Sequence, residues 1–399
     1  MFSAVYGEIS AEVRGTLQGV QCPSVGRVAE LLAQPELGLP GLAELLEIGA
    51  HPAATAQFEL LRSQVQRQWR AAAGNRLRYV APIYVSSFCV DACPYCNFSV
   101  NRKDTVRHRL TTEELAVEIE AAMARDARVI ELVYATDPEL DRAMLVQHIT
   151  QAVEAVGTGE GAGVLLCTEY QDAGTYEALR GVGLQGIVQW DETLDEAAYM
   201  RWHDASPRKR EFFTRMDNHD RAMQAGLDVA AGALFGLADY RFDALMQIAR
   251  ARYFQAEYGR GPFVMGTARL KPINGKELKF STSVSDHAYE TALLVYKLAV
   301  PAAGRWLQTR ETFAMNLRNV LDGDVYTYRC GEVQPGGYTQ INSKSDAGAQ
   351  FGVNELERSY VEGELAKQGF AIDYEWMPGC AAHGEERASL AEAKAVVAG

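Results

Sequence analysis

Cysteine is scarce in this chain: seven residues in 399, far too few for a disulfide scaffold, and this points to a reducing compartment. Basic residues are outnumbered, 39 Lys and Arg against 52 Asp and Glu, for a formal charge of -13. Nucleic-acid backbones and anionic membranes would repel such a chain, so neither is the expected partner. No run approaches the roughly 20 apolar residues of a membrane helix, and residues 1–20 lack the basic start and apolar run of a secretion signal. A cytoplasmic protein acting on a small molecule is the expectation. There are seven histidines, none at metal-ligand spacing, and no internal repeat or low-complexity segment.

The chain does contain regular alternation. From about Arg78 onward, short β-branched runs alternate with amphipathic helical stretches, the pattern of βα units around a parallel sheet. Eight strands are predicted: Tyr79–Ser86, Val129–Ala135, Val164–Glu169, Gly186–Trp190, Val229–Phe235, Val264–Leu270, Trp306–Thr309 and Asp324–Arg329. Thr111 and Glu114 have capping-box spacing, and Leu115, Ile119 and Met123 follow at helical intervals. Eight units imply an α/β protein with a (β/α)8 TIM-like barrel, closed or partly open, whose chemistry collects at the C-terminal ends of its strands. Residues 1–77 read as a helical extension, 78–344 as the barrel, and 345–399 as a C-terminal appendage with a helix, a strand and a tail.

Three of the seven cysteines fall within eight residues, in Tyr84-Val-Ser-Ser-Phe-Cys89-Val-Asp-Ala-Cys93-Pro-Tyr95-Cys96-Asn-Phe98, directly after the first predicted strand. A compact loop with three thiolates can hold a [4Fe–4S] cluster through three of its irons. The fourth iron then stays open to a small molecule bearing an amine and a carboxylate. A zinc knuckle and a four-cysteine electron-transfer cluster are the alternatives. Zinc would want a fourth ligand nearby, and His108 is the nearest downstream candidate.

The Cys-x3-Cys-x2-Cys spacing with Tyr95 before the last cysteine resembles the signature of the radical S-adenosylmethionine (SAM) superfamily. Further short motifs follow in an order similar to one subgroup: Glu192-Thr193, Phe213 to Asp220, Arg221, Gly232-Ala-Leu-Phe-Gly236, Arg269-Leu-Lys-Pro272, Thr309-Arg310-Glu311 and Pro335-Gly-Gly-Tyr338. That subgroup holds the tyrosine lyase of thiamine biosynthesis (2-iminoacetate synthase), the [FeFe]-hydrogenase maturase and the tryptophan lyase of nosiheptide biosynthesis. The similarity covers roughly residues 75 to 375.

The resemblance implies an anaerobic enzyme in which a reduced cluster on Cys89, Cys93 and Cys96 cleaves SAM to a 5′-deoxyadenosyl radical. It implies a one-electron donor such as flavodoxin or ferredoxin, and hydrogen abstraction from a carboxylate-bearing substrate. A carbon–carbon lyase acting on an aromatic amino acid is the leading expectation. A radical hydroxylase, rearrangement or transfer enzyme on a bulkier metabolite is the alternative, and a non-enzymatic iron–sulfur carrier a third. Arg310 is the expected carboxylate clamp, because a guanidinium matches a carboxylate fork; an ion pair with Glu311 is its bland alternative. Tyr84 and Arg269 complete the expected catalytic set. Tyr95, Asp137, Glu169, Glu192, Arg215 and Gly232 are the expected SAM contacts, with Glu139 in reserve for Asp137 and Gly236 flanking the same strand as Gly232. The segment 326–334 departs from the subgroup by lacking serine, so a different substrate is open there, with Arg329 as a second anionic contact and Tyr326 or Tyr328 lining the pocket. Cys330 reads as a packed small hydrophobe, with a cluster or sulfur ligand as its alternative, and His219 as part of a solvated helix face, with the cavity mouth as its alternative; Cys22 and Cys167 read as core residues, and a lone Cys380 in the tail argues against the maturase's second cluster.

Overall fold

Ten strands form one sheet: β1 (Arg76–Tyr79), β2 (Ala81–Ser86), β3 (Val129–Tyr134), β4 (Gly163–Cys167), β5 (Gly186–Trp190), β6 (Asp228–Phe235), β7 (Val264–Arg269), β8 (Gly304–Leu307), β9 (Val325–Tyr326) and β10 (Ala371–Asp373). The structure is a computed structural model, and it describes residues 1–70, 75–157, 161–271, 278–327, 333–341, 348–352 and 356–374. Every neighbouring pair is parallel, in the spatial order β10-β1-β9-β8-β7-β6-β5-β4-β3-β2. Strands buried on both faces in this way read as near-continuous apolar runs, and β3 is buried at all six positions.

The first predicted strand is split at Val80. Below the break, Arg78 and Tyr79 pair with Val325 and Tyr326 of β9; above it, Ala81 pairs with Ile130 of β3. One stretch of chain therefore touches both ends of the array and curls it into a TIM-like barrel. Among the described residues β2 pairs with β3 alone, so closure is made at the N-terminal end of the barrel.

A plug marks that closed end. Val80, Val129, Leu165, Val188, Ala230, Val264, Trp306 and Val325 form a separate apolar cluster, one residue from each of β3 to β9 and one from the β1–β2 break. Because strand side chains alternate between faces, this ring fixes which residues point inward along every strand.

Outside the barrel, helices 112–123, 142–156, 173–181, 240–258 and 286–299 cover the sheet. The capping box is present in full, with Thr111 and Glu114 exchanging side-chain and backbone hydrogen bonds at the start of helix Thr112–Met123. Four helices precede the barrel, Ser3–Leu17, Val25–Leu32, Leu39–Ala50 and Thr55–Arg70, and their apolar faces merge into the same core as the barrel helices. Helix Arg358–Lys367 leads to β10, which adds to β1 in parallel. No helix among the described residues is long and apolar enough to cross a membrane.

Candidate functional site

Two steps of two residues from the plug, up each strand and into the turns that follow the shorter ones, lead into a cavity at the C-terminal end of the barrel. The first step reaches Pro82, Glu131, Cys167, Trp190, Gly232, Gly266, Gln308 and Thr327. The second reaches Tyr84, Val133, Glu169, Glu192, Leu234, Ala268 and Arg310. All but the two glycines line one cavity, together with Tyr95, Cys96, Lys209, Arg215 and Phe351. The structure thus brings Tyr84, Tyr95, Glu169, Glu192, Arg215 and Arg310 together beside the cysteine loop.

The loop after β2 packs its sulfurs in apolar surroundings. Cys93 lies against Tyr95, Trp202, Leu234 and Leu237, and Cys89 and Cys96 pack against Tyr84, Phe98, Val133 and Val333. Burial lifts the Cys89 thiol to about 11, with repulsion from Cys96 adding to it, and lifts Cys93 to about 12. Three thiolates gathered in such a place need positive charge among them, and iron supplies it; the donor set therefore fits a cluster. Among the described residues no three His, Cys, Asp or Glu side chains converge on a single metal ion. His108, the fourth zinc ligand considered, engages Glu114 at 2.8 Å instead.

Among the described residues the cavity wall holds two ion pairs and one cation without an acidic partner. Arg215 Nε donates to Glu169 at 2.7 Å, and Lys209 pairs with Glu192. Burial alone would raise the Glu192 carboxyl, but Lys209 and Arg215 outweigh it and hold the group down at about 2. Glu192 adopts φ +67°, a left-handed conformation that a non-glycine residue takes at a cost. Tyr95 shares a 2.5 Å hydrogen bond with His203, and the Tyr84 hydroxyl donates to Gln350 at 2.8 Å. Arg310 is different. Its guanidinium lies 3.8 Å from the centre of the Phe351 ring, and no carboxylate among the described residues pairs with it. Burial lowers its proton affinity, opposed by Cys96, Tyr84 and Glu192 nearby.

Several expectations are corrected. Glu311 does not pair with Arg310; it holds Arg269 and Lys271. Arg269 is consequently not a residue of this cavity: it donates to Glu311, to Asp286 at 2.7 Å and to the Val284 carbonyl at 3.1 Å, on the outer face of β7, one residue out of phase with Ala268. Asp137 is already saturated. It accepts both arms of the Arg109 fork at 2.6 Å, the Ser86 hydroxyl at 2.5 Å and the Glu139 N–H at 3.0 Å, so it clamps the loop after β3 rather than offering a free carboxylate, and Glu139 pairs with Arg109. The space at Gly232 is taken: a Cβ there would lie 2.4 Å from the Trp190 ring, and one at Gly266 would lie 1.9 Å from it. These glycines admit an indole of the protein itself. Gly236 takes φ +111°, a turn requirement. Tyr326 faces the outer core beside Phe313, Cys167 lines the cavity, and His219 is fully buried against Arg250. Tyr328, Arg329, Cys330 and Cys380 lie outside the described residues.

Lys209 and Glu131 were not anticipated. Lys209 sits in an irregular connection, where no periodicity identifies it. Glu131 did leave a signal, a lone acid at an inward position of an apolar strand.

Similarity to known proteins can be set beside this geometry. The chain is 28% identical over 327 residues to the 2-iminoacetate synthase of Escherichia coli K12, covering 80% of this chain and 82% of that protein. It is 24% identical over 170 residues to the 3-methylornithine synthase of Methanosarcina acetivorans, covering 42% of this chain and 45% of that protein. Its fold matches the crystal structure of the [FeFe]-hydrogenase maturase HydG from Carboxydothermus hydrogenoformans with a TM-score of 0.79 and 23% identity, over 94% of this chain and 86% of that one. Methylornithine synthase matches with a TM-score of 0.61 and 18% identity, over 92% and 97% of the two chains. No family model matches the chain.

Proposed function

From the premise that this chain is a radical SAM enzyme related to the 2-iminoacetate synthases, we propose that it is a carbon–carbon lyase acting on an aromatic amino acid. The observation that carries the reading is Arg310, a half-buried guanidinium facing the same cavity as Cys96 and lacking an acidic partner among the described residues. A partly buried cation without a counter-ion is costly. A substrate carboxylate repays that cost and gains a bidentate contact.

Cys89, Cys93 and Cys96 would hold the [4Fe–4S] cluster, which with SAM bound would supply radical hydrogen-abstracting chemistry. The chain's own residues bind, orient and shield. Glu192 with Lys209, and Glu169 with Arg215, are matched pairs that offer ordered acceptors and donors to SAM without net charge. Tyr95 and Tyr84 supply flat apolar walls. Arg310 fixes the substrate's carboxylate and thereby its amine, and the closed plug beneath keeps water from the floor. A one-electron donor completes turnover.

The test is incubation of reconstituted, reduced enzyme with SAM and side-chain-deuterated or amine-exchanged tyrosine and tryptophan. 5′-Deoxyadenosine together with a fragmented amino acid is expected. If deoxyadenosine release responds to neither amino acid, the substrate assignment falls.

A further inference from the structure

Glu131 is the deepest carboxyl of the cavity and the one that the roles above leave unused. It stands in the middle of β3 between Val129 of the plug and Val133, 5% exposed, at a position where strands of a covered parallel sheet carry apolar residues. No cation among the described residues pairs with it; the Cys167 thiol on the neighbouring strand lines the cavity beside it and partly offsets the effect of burial on its carboxyl. The layer it belongs to is unevenly filled. On the β5 to β8 side, Trp190 occupies the space above Gly232 and Gly266 and packs edge-on against Trp306 at 5.7 Å. The remaining depth lies over β2, β3, β4 and β9, between Pro82, Glu131, Cys167 and Thr327, one layer below Arg310. One layer is two strand residues, about 6.6 Å along the strand, the scale of a single side chain.

We infer that Glu131 is the specificity-determining residue of the substrate slot, receiving the N–H or O–H at the far end of an aromatic side chain whose carboxylate rests on Arg310. This inference rests on the lyase reading above and names the recognition chemistry inside it. The charge pattern argues for a neutral donor. Lys209 and Arg215 are matched by Glu192 and Glu169, so the cavity asks for one negative charge, at Arg310, and no second charge elsewhere. Burial pushes the Glu131 carboxyl up to about 8, so near neutrality it can both donate and accept a hydrogen bond without introducing a buried anion. An ammonium side chain would instead require the ionised carboxylate in the driest part of the barrel. A site that hydrogen-bonds a substrate N–H or O–H discriminates against the analogue lacking it, because its own polar group is then left unpaired.

Anaerobic titration calorimetry of the reconstituted holoenzyme with SAM tests this, with tryptophan, tyrosine, phenylalanine and lysine as probes. Wild-type enzyme should bind tryptophan or tyrosine about tenfold or more tightly than phenylalanine. Glu131→Leu should erase that preference, weakening the donor-bearing amino acid about tenfold while leaving phenylalanine within about twofold. Glu131→Gln keeps an amide that donates and accepts, and should retain most of the preference. The comparison of tyrosine with phenylalanine on wild-type enzyme needs no variant, so the inference stays exposed even if the leucine protein does not fold. Equal binding of all three aromatic amino acids to wild type, or an equal loss for phenylalanine in Glu131→Leu, overturns the role of Glu131 while leaving the lyase reading intact. Tightest binding of lysine, lost in Glu131→Leu, overturns the neutral-donor class. If wild-type enzyme binds none of the aromatic amino acids, the substrate reading itself has failed.

Discussion

Arg310 shows what one residue can reveal through its company. Glu311, its neighbour in sequence, belongs to Arg269 across the outer face, so the guanidinium on the inner face has no carboxylate partner among the described residues. Replacing Arg310 with Gln removes a half-buried cation that has no acidic partner among the described residues, and the free protein is expected to unfold at the same temperature or higher. Affinity for the carboxylate substrate should meanwhile fall by roughly 30-fold or more, as when one partner of a desolvated charge pair is removed. Lysine should rescue only part of it, lacking the planar fork. Calorimetric binding and thermal melting of the same preparations decide the matter: a large drop in melting temperature for Arg310→Gln would mark the residue as structural. At this scale the sequence put Arg310, Glu192, Arg269 and Tyr326 together as site candidates, and only the plug, which the fold supplies, sets the phase that sorts them. Counting in twos from the plug separates Arg310 and Glu192, which face in, from Arg269 and Tyr326, which face out. Phase says nothing about saturation, which is why Asp137 misled: its four hydrogen bonds come from Arg109, Ser86 and Glu139, residues whose convergence only the fold creates. Nor could it show that the emptiness at Gly232 is filled by Trp190.

At the scale of elements, boundaries followed local chemistry and failed where partners decide them. Helix Thr112–Met123 begins at its capping box, a signal contained within four residues. The break at Val80 was invisible, because it arises from the change of partner between β9 and β3. The loop carrying Glu192 depends on another element, helix Tyr240–Tyr258. Asp243 of that helix accepts hydrogen bonds from the Thr193 hydroxyl and the Leu194 N–H, both at 2.8 Å. Burial pushes its carboxyl up to about 8 from an ordinary 3.8. Between those values the folded protein keeps a proton that the unfolded chain has released, so this group's contribution to stability declines as pH rises through the window, by up to about 1.4 kcal/mol per pH unit. Asp243→Asn cannot titrate. Its stability relative to wild type should therefore improve steadily from pH 5 to pH 8, measured as paired denaturation curves. A difference that is constant across that range would show that Asp243 is ionised in the folded state.

At the scale of the whole molecule, the alternation of strands and helices was enough to expect a barrel, since each βα unit must bury its apolar face against the next. The relation of the first helices to that barrel was not legible, because it is made by long-range contacts. Phe2 N–H donates to Asp220 at 3.2 Å and the Tyr6 hydroxyl to the Leu194 carbonyl at 2.8 Å, so helix Ser3–Leu17 braces the same loop that carries Glu192. Helix Leu39–Ala50 approaches helix Asp286–Ala299 closely enough that a Cβ on Gly49 would meet the Ala288 Cα and the Tyr240 hydroxyl, each at 2.8 Å. Gly49→Ala must therefore push two helices apart, and should destabilise the protein by about 1–3 kcal/mol. Gly7 is the control, since a Cβ there meets nothing within 4 Å. In Gly7→Ala the better helix propensity acts alone, and the protein should hold its stability or gain up to about 1 kcal/mol. Denaturant titration of the two variants separates the cases. If Gly49→Ala proves as harmless as Gly7→Ala, the preceding helices are not docked on the barrel as tightly as a shared core demands, and the bracing of the Glu192 loop by Tyr6 loses its support.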